Sequence, residues 1–169
     1  PLPERPAMQG KVVAWGLDDY GQTIVPEGLS NVVAISGGYR HTAVLKNSGT
    51  VVSWGENSYG QTNVPSGLIG VIAIAAGEVH SVALKNDGTV VVWGNPVTDV
   101  PPGLNGVTAI TAGLRHTVAL KTDGTVLAWG VNTYGQTNIP SGLRGVIAIT
   151  SGDYHTVSLK SDGTVVAWG

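Results

Sequence analysis

Several residue types that support common chemistries are scarce or absent in this sequence. It contains no cysteine, which excludes a disulfide scaffold, a thiolate nucleophile and cysteine-ligated zinc. Only 12% of the 169 residues are charged, and 9 Lys and Arg stand against 11 Asp and Glu. No apolar run approaches the roughly 18 residues of a spanning helix, and residues 1–6 do not resemble a signal peptide. We therefore expect a soluble chain that binds neither nucleic acid nor membrane.

Glycine is abundant instead, with 25 residues, and it occurs beside many Val, Ile and Leu residues. This combination predicts short strands joined by turns. The sequence also repeats, because every Trp precedes a Gly and successive Trp residues lie 39, 39, 36 and 39 positions apart. Each His lies 13 positions before a Trp. The repeated residues are Trp15, Trp54, Trp93, Trp129 and Trp168, with His41, His80, His116 and His155.

One unit, residues 32–70, predicts the local fold. Short β-branched runs flank an Asn-Ser-Gly turn that becomes Asp-Gly in later units, which is a strong hairpin signal. Pro65 limits the last run to an edge strand. Four short strands per unit predict an all-β propeller with blades of four antiparallel strands and about four blades per chain. Residues 1–10 would be an extension or linker, and residues 11–169 the array, with units 32–70, 71–106, 107–145, and 146–169 plus 11–31.

The repeated pattern His-Thr/Ser-x-x-Leu-Lys-x-Asp-Gly-Thr-Val-x-x-Trp-Gly, followed by Tyr-Gly-Gln-Thr-x-Val-Pro, resembles the repeat of the regulator of chromosome condensation family. The resemblance covers residues 11–169 and is most similar to the bacterial branch, which includes a secreted propeller that inhibits β-lactamases. It implies a propeller fold, a non-enzymatic role and a secreted or cell-surface location. The family's chromatin-binding exchange factor carries a basic tail, which this sequence lacks, and its plant photoreceptor has Trp where Gly38-Tyr39-Arg40-His41 has Tyr39.

The repeat varies most at the two positions before each His, while its surroundings stay almost fixed. Variable loops on a rigid scaffold are where recognition concentrates, and Tyr and Arg are enriched in binding hot spots. We predict a partner-binding surface there, with Tyr39, Arg40, Arg115 and Tyr154 as its anchors; plain solvated loops are the competing interpretation. The predicted surface comprises Tyr39, Arg40, Glu78, Val79, Leu114, Arg115, Asp153 and Tyr154.

The repeated His and Trp residues are predicted to be structural. One His per blade is spread around a ring instead of converging on one metal ion, so we expect each ring nitrogen to satisfy backbone groups between blades. The Asp-Gly turns hold one carboxylate each, too few for calcium. No catalytic residue, metal or cofactor is predicted. The shorter unit, with Asn95-Pro96-Val97-Thr98, predicts a dent in the rim.

Ring closure and function remain open between alternatives. Four units are fewer than the seven blades typical of the family that the repeat resembles. The Trp strand at residues 11–16 also duplicates the one at residues 164–169. Two copies could join head to tail into eight blades, missing blades could complete a fragment, or four blades could close tightly. The main functional prediction is a protein-binding module. A self-assembling segment of a larger bacterial surface protein and a sugar-binding propeller that uses Tyr20, Tyr59 and Tyr134 are the alternatives.

Overall fold

The computed structural model describes residues 11–95 and 99–169, and within them twelve strands form four antiparallel sheets of three strands each. These are β1 (Val32–Gly37), β2 (His41–Lys46) and β3 (Val51–Gly55); β4 (Val71–Ala76), β5 (His80–Lys85) and β6 (Val90–Gly94); β7 (Val107–Ala112), β8 (His116–Lys121) and β9 (Val126–Gly130); β10 (Val146–Ser151), β11 (Thr156–Lys160) and β12 (Val165–Trp168). The described residues contain no helix able to cross a membrane. The dent predicted at residues 95–98 lies largely outside the described residues.

Each sheet, or blade, is built from the repeated hairpin. The Lys46 N–H donates to the Thr50 carbonyl at 2.9 Å, and Gly49 adopts a φ of 76°, a conformation that glycine tolerates. In the next blade Asp87 accepts hydrogen bonds from the Thr89 backbone and hydroxyl, which lower the pKa of its carboxyl to about 2. The Asp-Gly turn that the sequence predicts is therefore present and is held by its own carboxylate.

The apolar core lies between the blades. The first strand of each blade, which we call its inner strand, has a β-bulge after its first residue. In β4 the bulge makes Val71 and Ile74 both face the preceding blade. They pack there with Leu45, Val51 and Trp93. The same arrangement recurs between blades 2 and 3 and between blades 3 and 4. Stability therefore depends on contact between neighbouring blades, as in other repeat architectures.

The four inner strands end around a common cleft of about 370 Å³. A Cβ placed on Gly38 would lie 2.5 Å from the Gly77 carbonyl oxygen, and one on Gly77 would lie 2.5 Å from that of Gly113. Only glycine allows the backbones to approach so closely.

The prediction of a fourth strand in each blade is wrong for the residues that the structure describes, where every sheet has three strands. Residues 56–70 and 131–145 form successive turns, in which the Gly60 N–H donates to Asn57 and the Asn63 N–H to Gly60. The Asn57 carboxamide also accepts the Thr62 N–H. These local bonds occupy the groups that a strand ladder would need. The segments connect the blades as turns packed on the next blade.

The two copies of the Trp strand that the sequence contains differ in structure. Trp168 lies in β12 and pairs with β11, whereas residues 11–16 belong to no sheet. Trp15 is 84% exposed. Residues 18–30 nevertheless lie on blade 1 much as residues 57–69 lie on blade 2, since the Gln22 carbonyl accepts the Thr42 hydroxyl at 3.0 Å and the Gln61 carbonyl accepts the Ser81 hydroxyl at 2.9 Å.

Candidate protein-binding face

The loops before the repeated histidines all lie at one end of the blades. We define these pre-histidine loops as residues 38–40, 77–79, 113–115 and 152–154. Backbone hydrogen bonds join them across blades: Tyr39 N–H to Gly77 at 3.1 Å, Glu78 N–H to Leu114 at 2.9 Å and Leu114 N–H to Asp153 at 3.1 Å. The loops therefore form one connected platform, which holds their side chains in fixed positions before any partner arrives.

At the blade 1 end of the platform, Arg40 lies between two tyrosines, an arrangement we call the Arg40 cluster. Its guanidinium carbon is 4.7 Å from the Tyr20 ring centre and 5.2 Å from that of Tyr39, and it donates to the Tyr20 hydroxyl at 3.0 Å. Cation–π contacts of this kind hold a long side chain in place. Within the described residues Arg40 forms no ion pair. The cluster therefore presents an ordered positive charge framed by exposed aromatic rings.

Further round the platform, a cleft of about 330 Å³ opens between the loops of blades 2, 3 and 4; we call it the Arg115 cleft. Arg115 donates to Glu78 at 2.8 Å, and this carboxylate raises the pKa of the guanidinium above its usual value. Tyr134 and Tyr154 meet edge to face with ring centres 4.9 Å apart. The cleft combines a fixed charge pair with aromatic walls.

Most predicted surface residues lie on the platform, but Val79 does not reach its surface. Val79 is only 3% exposed, and its carbonyl accepts the Asn95 N–H at 2.9 Å. Because its apolar side chain is buried, Val79 is not part of the exposed surface that the sequence predicted. Tyr39, Arg115, Asp153 and Tyr154 are exposed, and Arg40, Glu78 and Leu114 are half-buried.

Tyr20 completes the Arg40 cluster and Tyr134 the Arg115 cleft, although the sequence suggested both only as sugar-binding candidates. Both are exposed, and Tyr20 contacts Arg40 while Tyr134 contacts Tyr154. Tyr59 acts electrostatically on Arg115 and helps to raise the pKa of its guanidinium. Their backbone turn is set by the glutamine two positions later, whose side chain accepts the tyrosine N–H. Their position in the sequence could have indicated this contact. They lie in the turn that follows a Trp-Gly pair, and that turn lies at the same end of the blade as the pre-histidine loop.

The buried histidines join neighbouring blades, with a partner that differs from the predicted backbone groups. The Nε2 atoms of His41, His80 and His116 lie 2.9, 3.0 and 3.3 Å from the hydroxyls of Ser81, Thr117 and Thr156, each in the next blade. The Ser81 hydroxyl donates its own proton to the Gln61 carbonyl at 2.9 Å. It must therefore accept from His41, which places the ring proton on Nε2.

This pattern requires neutral imidazoles. Once Nε2 donates, protonation would place a second N–H on Nδ1, which is buried and has no partner in His41, His80 or His116. Burial lowers the pKa of His41 and His80 to about 4, and it lowers that of His116 in the same direction. These three histidines therefore contact the next blade as buried neutral rings. Among the described residues no group of His, Asp and Glu is placed to hold a metal ion.

Comparisons with known proteins place the fold in a family. Residues 32–61, 71–97, 107–136 and 146–169, more than half of the chain, match the Regulator of chromosome condensation (RCC1) repeat. The chain belongs to the RCC1 repeat family. Curated protein sequences give no significant match.

Among solved structures of this fold, Prp20p from Saccharomyces cerevisiae superposes with a TM-score of 0.72 at 23% identity over 85% of this chain and 45% of Prp20p. Human WBSCR16 superposes with a TM-score of 0.74 at 23% identity, covering 91% of this chain and 56% of its own. Prp20p binds Gsp1p and histones, and it has been crystallised with Kap60. This RCC1-repeat chain spans about half the length of the propellers it resembles, and the likeness concerns the fold alone.

Proposed function

We propose that this chain is a non-enzymatic protein-interaction module that binds its partner through the pre-histidine loops. The observation that carries the proposal is the pair of Arg–Tyr groupings, the Arg40 cluster and the Arg115 cleft, on one hydrogen-bonded platform. Tyrosine and arginine are enriched in binding hot spots because they offer large contact area and directional donors. A rigid platform lowers the entropy lost when they bind.

The charges of the platform indicate the chemistry of the partner. Glu78 already neutralises Arg115, whereas Arg40 is stacked on tyrosines and unpaired among the described residues. A partner that places a carboxylate over Arg40 and an apolar or aromatic side chain in the Arg115 cleft would satisfy both sites. Protein binding by Prp20p supports this class of function for the fold, while its particular partners do not carry over.

The test is affinity capture with matched surface variants. Arg40→Ala and Tyr154→Ala should each reduce retention of the specific partner by at least tenfold relative to the wild type. Arg144→Ala is the control, because Arg144 is an exposed arginine in the segment before β10, at the opposite end of the blades. Equal loss in all three variants, or loss in none, would contradict binding through the pre-histidine loops.

A sugar-binding role is the less favoured alternative. Tyr20 packs under Arg40, whereas Tyr134 packs against Tyr154, so the rings do not share one repeated environment. A glycan screen beside the capture experiment distinguishes the two, because retention of a defined glycan that Tyr134→Ala abolishes would favour the sugar-binding role. Inhibition of a β-lactamase, suggested by the family resemblance, is a special case of protein binding and is tested with the same variants.

We also propose that the chain associates with a second copy, end to end. The last blade leaves bare the face that is covered in the others: Leu159 is 37% exposed, whereas its equivalents Leu45, Leu84 and Leu120 are exposed by at most 5%. At the other end, Ile35 is 67% exposed, whereas Ile74 packs on the preceding blade. These two faces are complementary, because the same kinds of face pack together three times within the chain.

A further inference from the structure

The histidine contacts between successive blades form a series that is open at both ends. His41, His80 and His116 each reach the hydroxyl that follows the histidine of the next blade. His155 is exposed, and among the described residues no further blade follows to supply that hydroxyl. At the opposite end, Thr42 occupies the hydroxyl position, and no histidine within the described part of the chain contacts it. The chain therefore carries one unused histidine and one unused hydroxyl, at opposite ends of the arc.

Thr42 is already oriented to receive a histidine. Its hydroxyl donates to the Gln22 carbonyl at 3.0 Å, as Ser81 donates to Gln61 and Thr156 donates to Gln136. In those two cases the hydroxyl also faces a histidine of the preceding blade. Because the Thr42 proton is directed to Gln22, its lone pairs remain available to an incoming Nε2–H.

An open cleft lies where that histidine would enter. We call this cleft of about 380 Å³ the histidine seat; its lining includes Trp15, Gln22, Gly38 and Thr42. Gln22 is half-buried there, while the equivalent Gln61 and Gln136 are fully buried beneath neighbouring blades. The seat is thus the counterpart of a space that the rest of the chain fills with the histidine strand of a preceding blade.

We propose that the histidine seat receives β11 of a second copy of this chain, with His155 of that copy donating to Thr42. The proposal rests on the end-to-end association proposed above and names its contacts. Two copies would make the junction twice and close eight blades around one axis with two-fold symmetry. A second copy is the favoured occupant because it carries both complementary parts, the unused histidine and the bare apolar face around Leu159 and Val165.

Docking would bring two Trp strands to the same edge of β11. One is its own β12, joined by the Asp162-Gly163 turn and paired at four positions from Leu159↔Val165 to Thr156↔Trp168. The other is residues 11–16 of the receiving copy, which have no strand partner and occupy the same repeat position. We assign β12 to the assembled blade, since its pairing already exists, and residues 11–16 then move aside.

Sedimentation equilibrium of the full chain tests the proposal. The wild type should form a dimer. Thr42→Ala and His155→Ala should each raise the dissociation constant of that dimer on the order of 30-fold, since one hydrogen bond is lost at each of two junctions. The double variant should be no weaker than either single variant. Thr42→Ser should retain the wild-type constant because Ser81 serves the same role in blade 2. Trp15→Ala should leave the dimer intact.

The outcomes separate the junction from the association itself. A dimer with additive effects of the two substitutions would overturn the His155–Thr42 junction while leaving end-to-end association standing. A mass of 17.3 kDa at every concentration would overturn both, and would assign the bare faces to further repeats of a longer polypeptide. Masses that grow without limit would overturn the closed ring. Loss of the dimer in Trp15→Ala would overturn the assignment of β12. Circular dichroism confirms that each variant is folded.

Discussion

Acid should destabilise this protein over a pH range set by its buried histidines. The pKa of His41 and of His80 is about 4 in the folded chain, against an ordinary value of 6.5. As the pH falls below 6.5 the unfolded chain binds protons first, so the free energy of unfolding decreases until the folded pKa is reached near 4. Between pH 7 and pH 5 each histidine should remove about 2 kcal/mol, and the two together about 4 kcal/mol. His116 acts in the same direction.

Urea titrations followed by tryptophan fluorescence, at a fixed protein concentration and at several pH values, measure this loss. His80→Gln, which keeps a side-chain N–H for Thr117, should lower the slope of stability against pH by about 1.4 kcal/mol per pH unit near pH 5. Asp87→Asn is the control, because a carboxyl with a pKa of about 2, against 3.8 ordinarily, titrates below this range. Equal unfolding free energies at pH 5 and pH 7 would refute the neutral, buried histidine junctions.

Two further substitutions test the packing between blades. Gly38→Ala should destabilise the chain by roughly 2–3 kcal/mol, since its Cβ would lie 2.5 Å from the Gly77 carbonyl oxygen. Gly37→Ala is the control, because a Cβ on Gly37 meets nothing within 4 Å. Equal shifts of the melting temperature in the two variants would contradict the crowded axis. Ser81→Ala should lower the free energy of unfolding in urea by about 1–3 kcal/mol, because the His41 N–H is left buried without an acceptor. Ser81→Thr should lower it less, because Thr117 and Thr156 fill the same role in later blades. The reverse order would be inconsistent with the hydroxyl junction.

The repeat period was sufficient to predict the blades and their hairpins. Each of these follows from residues that recur in every unit, such as the Gly that allows a positive φ at position 49. The fourth strand failed because its apolar alternation is short, and the Asn57 side chain captures the backbone groups a ladder would use. Periodicity alone does not register that local competition.

The candidate site was predictable in position more than in detail. Variation before each histidine located the platform, but burial of Val79 depends on how its loop bends over the blade. The Tyr20–Arg40 contact joins residues 20 positions apart, and the Arg115–Glu78 pair joins residues 37 apart. Such contacts depend on the packing of successive blades, so no single repeat reveals them. The partner of each histidine was missed for the same reason.

The central claim is that one kind of histidine-to-hydroxyl junction joins every pair of neighbouring blades, within the chain and between copies. A crystal structure of the chain tests it most directly. The account predicts eight sheets around one axis, with His155 Nε2 about 2.7–3.2 Å from Thr42 Oγ1 of the second copy. A structure in which His155 faces solvent, or in which the four sheets close on themselves, would contradict it.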